Sequence, residues 1–253
     1  MLRRSNLPGP LRVLIPLVLW LGIWWIASAA VHQSLLIPSP LEVLTRLGAL
    51  IVTGSFWRYT LVSLLRITLG VLLGITLGIL AALLTARFSV IDAALAPAIR
   101  VIRATPVASF IILVLLWVQT GRVPLVISCL VVLPVIWESV SAGIRSADPL
   151  LLEFGRAYHL RRRDVLLHIY LPAVRSHLSS GVCTAIGMGW KSGVAAEVLC
   201  LPKAAIGTQV YYSKLYLETP DLFAWTIVVV LLSLTLERLA RRWLLGRGER
   251  RAN

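Results

Sequence analysis

Acidic side chains are scarce. Eleven Asp and Glu stand against 25 Lys and Arg, which leaves a formal net charge of +14. Cysteine is scarcer: Cys129, Cys183 and Cys200 make up the whole set, with no Cys-x-x-Cys pair. That excludes a disulfide framework and a thiolate metal site. Cys129 and Cys183 fall within apolar segments, where a free cysteine behaves as a small buried hydrophobe. The four histidines, His32, His159, His168 and His177, show no ligand spacing. There is no His-Glu-x-x-His, no Gly-x-Ser-x-Gly and no paired-carboxylate arrangement, so no enzyme class finds its nucleophile or metal cluster. A Gly-Lys dipeptide is also missing. Gly187-Met188-Gly189-Trp190-Lys191-Ser192 imitates a phosphate loop, but Trp190 stands where the loop needs glycine and no strand precedes it. The chain is therefore not expected to hydrolyse nucleotide itself.

What is present is apolar length. The chain is 58% hydrophobic, with a mean hydropathy of +0.86. Several continuous runs reach the roughly 20 residues that a helix needs to cross a bilayer. Continuous rather than alternating runs exclude a β-barrel. The expected fold is all-α and polytopic, a single domain over 1–253 with about six spans, at 11–31, 62–86, 104–120, 123–144, 173–200 and 222–243. The first run is long enough to span and is read as a retained helix rather than a cleaved signal. Pro38 and Pro40 interrupt the stretch after it, and a helix restarts from Leu41 onward at the interface.

The positive charge lies at span ends and in short loops, which is a topology signal and not a nucleic-acid footprint. With the N-terminus inside, 18 of the 25 basic residues fall on inner segments, five on outer ones, and Arg66 and Lys191 within spans. Both termini are thus expected in the cytoplasm, with the 145–172 segment beside them.

Small residues recur every four positions in two spans: Gly70, Gly74 and Gly78 in the second, Gly181, Ala185, Gly189 and Gly193 in the fifth. That spacing lets helix backbones approach closely in lipid. Charges inside spans cost at least about 2.5 kcal/mol each, so they call for a reason. Glu138, Lys191 and Glu197 are the candidates for a translocation path. At about 1.5 Å per residue from Arg175, Lys191 sits about 24 Å up its helix, in the outer half. It would either face a cavity and attract an anion, or pair with Glu138, or snorkel.

The 145–172 segment is basic and amphipathic. Pro149 to Tyr158 reads as a short helix, Arg161-Arg162-Arg163-Asp164 as a polar knot, and Val165, Leu166, Ile169 and Tyr170 as a resumed helix that Pro172 closes. An interfacial helix on anionic lipid would explain the arginines but not Glu153.

These residues resemble the cytoplasmic loop of permease subunits of bacterial ABC importers of the binding-protein-dependent type. That loop carries Glu-Ala-Ala, three residues, Gly, nine residues, then Ile-x-Leu-Pro. Glu153 and Ile169-Tyr170-Leu171-Pro172 match in identity and spacing, and Arg156 and Ala157 fit its style. Phe154 and Gly155 replace the two alanines, and His159 replaces the glycine that would allow a sharp turn. Ile37-Pro38-Ser39-Pro40, Ser63-Leu64-Leu65-Arg66, Arg103-Ala104-Thr105-Pro106, Ala195-Ala196-Glu197 and Leu236-Glu237-Arg238 are similar, in order, to segments of the nitrate, sulfonate and taurine branch.

The resemblance implies a type I importer permease fold in the bacterial inner membrane. Glu153, Phe154, Gly155, Arg156, Tyr158, His159, Arg161, Leu171 and Pro172 would form the element that couples to a cytoplasmic ABC ATPase dimer. It also implies an extracytoplasmic substrate-binding protein, a second permease copy, no cofactor on this chain, and magnesium-bound ATP on the ATPase. The solute would be a small oxyanion such as sulfonate, taurine or nitrate. A pyrimidine precursor of thiamine, or an ion-coupled secondary transporter, is the other reading.

Overall fold

The computed structural model describes residues 11–31, 33 and 35–244. Arg3, Arg4, His32, Arg247, Arg250 and Arg251 lie outside them. Eleven helices and one π turn form, and no strand occurs among the described residues. The chain divides into two compact units, Met1–Trp57 with Gln209–Val228, and Arg58–Thr208 with Val229–Asn253.

The first unit holds α1 (Leu11–Val31) and α2 (Pro40–Ile51). Pro40 does not delay α2 to Leu41. It occupies the first helical position, where its missing N–H is no loss, and Ser39 and Glu42 close a capping box over it. Trp24 Nε1 donates to the Pro38 carbonyl (3.1 Å) and Ser28 Oγ to that of Ile37 (3.0 Å), tying the proline segment to α1. Arg46 forks onto Asp221, and that partner raises its already high pKa. Phe56 stacks on Trp225 with ring centres 5.2 Å apart.

The second unit is organised around α6 (Val123–Arg145). It packs against α9 (Leu171–Cys200) and against α3 (Gly54–Arg87). Glycine makes both approaches close. A methyl on Gly74 would lie 2.7 Å from the Cys129 carbonyl oxygen, and one on Gly78 would lie 2.8 Å from Ile136 Cβ. One on Gly70 would run into the Leu125 backbone. From α9, Gly189 would meet Val71 and Val132, Gly193 would meet Ile67 and Ser128, and Gly181 would meet Ser139. Ala185 is wholly buried in the same row. Ser128 Oγ donates to the Gly189 carbonyl at 3.0 Å. Ile111, Val114, Val123, Ile127, Ala196 and Cys200 close one end of this core.

The spans differ from the sequence expectation in two places. Four helices, within α1 and at α3, α6 and α11 (Thr219–Leu244), are long and apolar enough to cross a membrane. The expected straight span at 104–120 is instead a bent pair, which brings the number to five. There α4 (Ser89–Ala104) and α5 (Val107–Leu115) meet at 107°. Pro106 is the cause, since Thr105 before it is held extended (φ −78°, ψ 130°) and Pro106 cannot donate to the helix. Nine residues of α5 reach only about 13.5 Å, too short to cross alone. The other shortfall is α9. Its 30 residues reach about 45 Å, ample to cross, yet it is too polar along its length to count among those four. One face is glycine sealed against α6 and α3, and the neighbouring face carries His177, Ser180, Thr184, Met188 and Lys191, all exposed.

Candidate functional site

The 149–172 segment is two short helices around a sharp turn. Asp148 starts α7 (Pro149–Ala157) by accepting from the Leu150 N–H at 2.9 Å, with Pro149 in the first helical position. The helix ends at Tyr158. His159 then takes φ = +52°, the left-handed conformation that glycine adopts freely. The Leu160 N–H bonds back to the Gly155 carbonyl (2.9 Å) and the His159 N–H to that of Arg156 (3.1 Å). These are the two bonds of a Schellman cap. The turn that the sequence left without its glycine is therefore made by histidine, held by the cap.

From Arg161 the chain climbs again. A single turn, α8 (Arg162–Val165), leads into the π turn Leu166–Tyr170 and on into α9. Pro172 does not close a helix, as the sequence suggested. It lies at the second position of α9, directly after the π turn, and the helical backbone of Tyr170 and Leu171 carries the chain through it without a break. Gly155 is buried, and a methyl there would meet Val165, Leu160 and Ile169 only at ordinary contact distances of 3.5 to 3.8 Å. Ile169 is buried beneath the turn, so it and Gly155 join the two arms.

The outer face of α7 is open. Phe154 and Tyr158, one turn apart, lie with ring centres 4.2 Å from each other while 53% and 67% exposed. Leu150 and Leu151 on the same helix are exposed too, as is Leu171 at the start of α9. Glu153, Arg156 and Arg161 are also exposed. An aromatic pair rimmed by both signs of charge has the composition of a protein contact centre.

The intramembrane charges are not brought together. Glu197 is wholly buried, not facing an open path. Ser63 Oγ (2.8 Å), Arg66 Nη1 (3.1 Å) and the Gly207 N–H (3.1 Å) all donate to it, and Ser63 Oγ in turn accepts from the Ile206 N–H at 2.9 Å. Glu197 thus pins α3, α9 and the start of α10 (Ile206–Leu215). The considered pair between Lys191 and Glu138 does not form either. Glu138 pairs with Arg103, and Lys191 lies exposed on α9 without an ion-pair partner among the described residues.

Arg103 and Glu138 both line a cleft of about 460 Å³ bounded by α4, α5, α6 and α9. Thr105, Ser139, His177, Ser180 and Thr184 add polar groups to walls otherwise made of Phe110, Ile127, Val131, Pro134 and Met188. Apolar walls with a few convergent polar groups are the usual form of a small-solute site.

The family model described as binding-protein-dependent transport system inner membrane component matches residues 74–244. The chain belongs to this family.

It is an ABC importer permease subunit, a multi-pass inner-membrane component, and the matched stretch contains the 149–172 turn and the whole cleft. Among curated relatives, it is 25% identical over 228 residues to the taurine transport system permease protein of Escherichia coli, covering 87% of this chain and 82% of that one. To the putative aliphatic sulfonates transport permease protein of the same organism it is 28% identical, covering 88% of each. To the riboflavin transport system permease protein of Chloroflexus aurantiacus it is 28% identical, covering 87% and 86%.

For this permease, sequence reasoning missed Arg103 as a site residue, having counted it as a loop cation. It also missed Ser180 and Thr184. A signal was available: His177, Ser180, Thr184, Met188 and Lys191 recur at three- and four-residue steps beside the glycine row, marking a second, polar stripe on one helix.

Proposed function

We propose that this permease carries a small oxyanion, such as a sulfonate, taurine or nitrate, into the bacterial cytoplasm, driven by a separate ABC ATPase dimer. In this reading both termini and the 149–172 turn face the cytoplasm, as the 18 to five distribution of basic residues favours. Two permease copies form the pathway, and a binding protein delivers solute on the outer side. ATP binds with magnesium on the ATPase, and this chain holds no cofactor.

The observation that carries the reading is the open face of α7. Phe154 and Tyr158 would fill a groove on the ATPase, while Glu153, Arg156 and Arg161 set the orientation. A rigid turn suits force transmission, and the Schellman cap, Gly155 and Ile169 make this one rigid. Closure of the ATPases would then rock the α7 to α9 connection and the helices sealed to it by glycine.

The sulfonate- and taurine-named relatives support the oxyanion reading. The riboflavin-named relative favours a second reading, in which the same machinery takes a heterocycle such as a pyrimidine precursor of thiamine. The elbow between α4 and α5 is the kind of broken helix secondary transporters use, but the family membership weighs against an ion-coupled mechanism. Two measurements test the proposal. Co-expressed with its cognate ATPase, this permease should co-purify with it, and Glu153→Lys should abolish uptake while membrane insertion stays normal. Retained uptake in Glu153→Lys, or uptake that survives ATP depletion, would sink the coupling assignment. Calorimetry on the cognate binding protein decides between oxyanion and heterocycle.

A further inference from the structure

Among the described residues, three carboxylates are held by arginine, and they are held differently. Asp221 receives a two-bond fork from Arg46. Glu197 is wholly buried and accepts from three donors. Glu138 receives one hydrogen bond, from Arg103 Nη1 to its Oε2. Their side chains stay 64% and 50% exposed, and both border the cleft. A guanidinium has five donors and a carboxylate about four acceptor sites, so most of the capacity of this pair is uncommitted and faces the cleft.

The charge balance of the cleft narrows what would use it. Among the described residues, Arg103 and Glu138 are the only Lys, Arg, Asp or Glu that line it, one of each sign. A simple anion reaching Arg103 meets the Glu138 carboxylate beside it, and a simple cation reaching Glu138 meets the guanidinium. Like-charge juxtaposition of this kind is a strong means of rejecting wrong partners. A solute carrying both charges meets neither penalty. Its oxyanion takes the fork of Arg103, its ammonium takes Glu138, and each ionic bond lost is replaced by one gained. Ser180 and Thr184 supply hydroxyls to the same space.

We propose that Arg103 and Glu138 form a solute site for a zwitterion, an ammonium joined by a short linker to an oxyanion, which separates the pair by satisfying both halves. This rests on the oxyanion reading above and sharpens it. Glu138 is then a specificity residue: it admits aminosulfonates over sulfonates without the amine.

The test uses the complete transporter, this permease with its ATPase and binding protein, in proteoliposomes. Uptake of 2-aminoethanesulfonate is compared with uptake of 2-hydroxyethanesulfonate, which keeps the anion and lacks the ammonium. Each solute is supplied at saturation of the same unaltered binding protein, so that differences between variants arise in the permease. The wild type should transport the aminosulfonate faster. Glu138→Gln should lower aminosulfonate turnover at least ten-fold and leave the hydroxysulfonate unchanged or faster, since the carboxylate that repels a simple anion is gone. Glu138→Asp, which keeps the charge, should retain the preference. Arg103→Gln should depress both solutes. Co-purification of the ATPase at wild-type yield shows that each variant is folded and assembled.

Equal losses for both solutes in Glu138→Gln, with assembly intact, would make the pair a structural tie and overturn the proposal. So would unchanged transport in both variants. A wild type that takes only the hydroxysulfonate overturns the zwitterion assignment while leaving ATP-driven oxyanion uptake standing, and uptake of neither overturns both.

Discussion

Glu197 shows how a single ionisable residue is tolerated inside a membrane helix. Its two oxygens meet a hydroxyl, an amide and a guanidinium, and Arg66 is itself only 14% exposed. Removing one partner of such a pair strands the other. Glu197→Ala should therefore cost on the order of 3 to 5 kcal/mol, read as a large drop in thermal unfolding midpoint in detergent. Ser63→Ala should cost about 1 to 3 kcal/mol, because it removes a donor to Glu197 and the acceptor of the Ile206 N–H together. An unchanged midpoint in either variant would refute the pin. Gly155 points the other way. It lies in a helix with room for a methyl, so Gly155→Ala should stabilise by up to about 1 kcal/mol, detected in the same melt.

At the scale of elements, two devices decide where helices turn and how closely they pass. The Schellman cap at His159 holds a non-glycine residue at φ = +52°, at a cost of about 1 to 2 kcal/mol. His159→Gly should recover much of that cost with uptake near wild type, whereas the β-branched His159→Val should destabilise the turn and reduce uptake. The glycine rows act through volume. Gly189→Val would thrust into Val71 and Val132 and should abolish monodisperse protein on size exclusion. Gly48→Ala, with open space around it, is the control that should elute normally.

At the scale of the whole molecule, the chain separates a packed glycine-sealed interior from two open features, the aromatic face of α7 and the cleft. An exposed residue can be removed without disturbing the core. The double variant Phe154→Ala with Tyr158→Ala should thus fold normally yet lose ATPase association at least ten-fold in pull-down, since buried aromatic anchors dominate such contacts. Normal association in that variant would show that the α7 face is not the docking surface.

The sequence by itself determined the membrane class, the all-α fold, the positions of most spans and the place of the Glu153 to Pro172 motif. Hydrophobic length, four-residue glycine spacing and the Glu153 to Pro172 pattern are properties of neighbours along the chain. Even the turn was legible as to place, though not as to how histidine would make it. The tertiary structure alone decided the charge partners. Arg66 and Glu197, Arg103 and Glu138, lie 131 and 35 residues apart, and no local pattern says which arginine a given carboxylate will meet. It also decided which face of α9 is sealed and which is open. Both stripes are written in the sequence, but only packing against α3 and α6 shows that the glycine stripe is interior and the polar stripe borders a cleft.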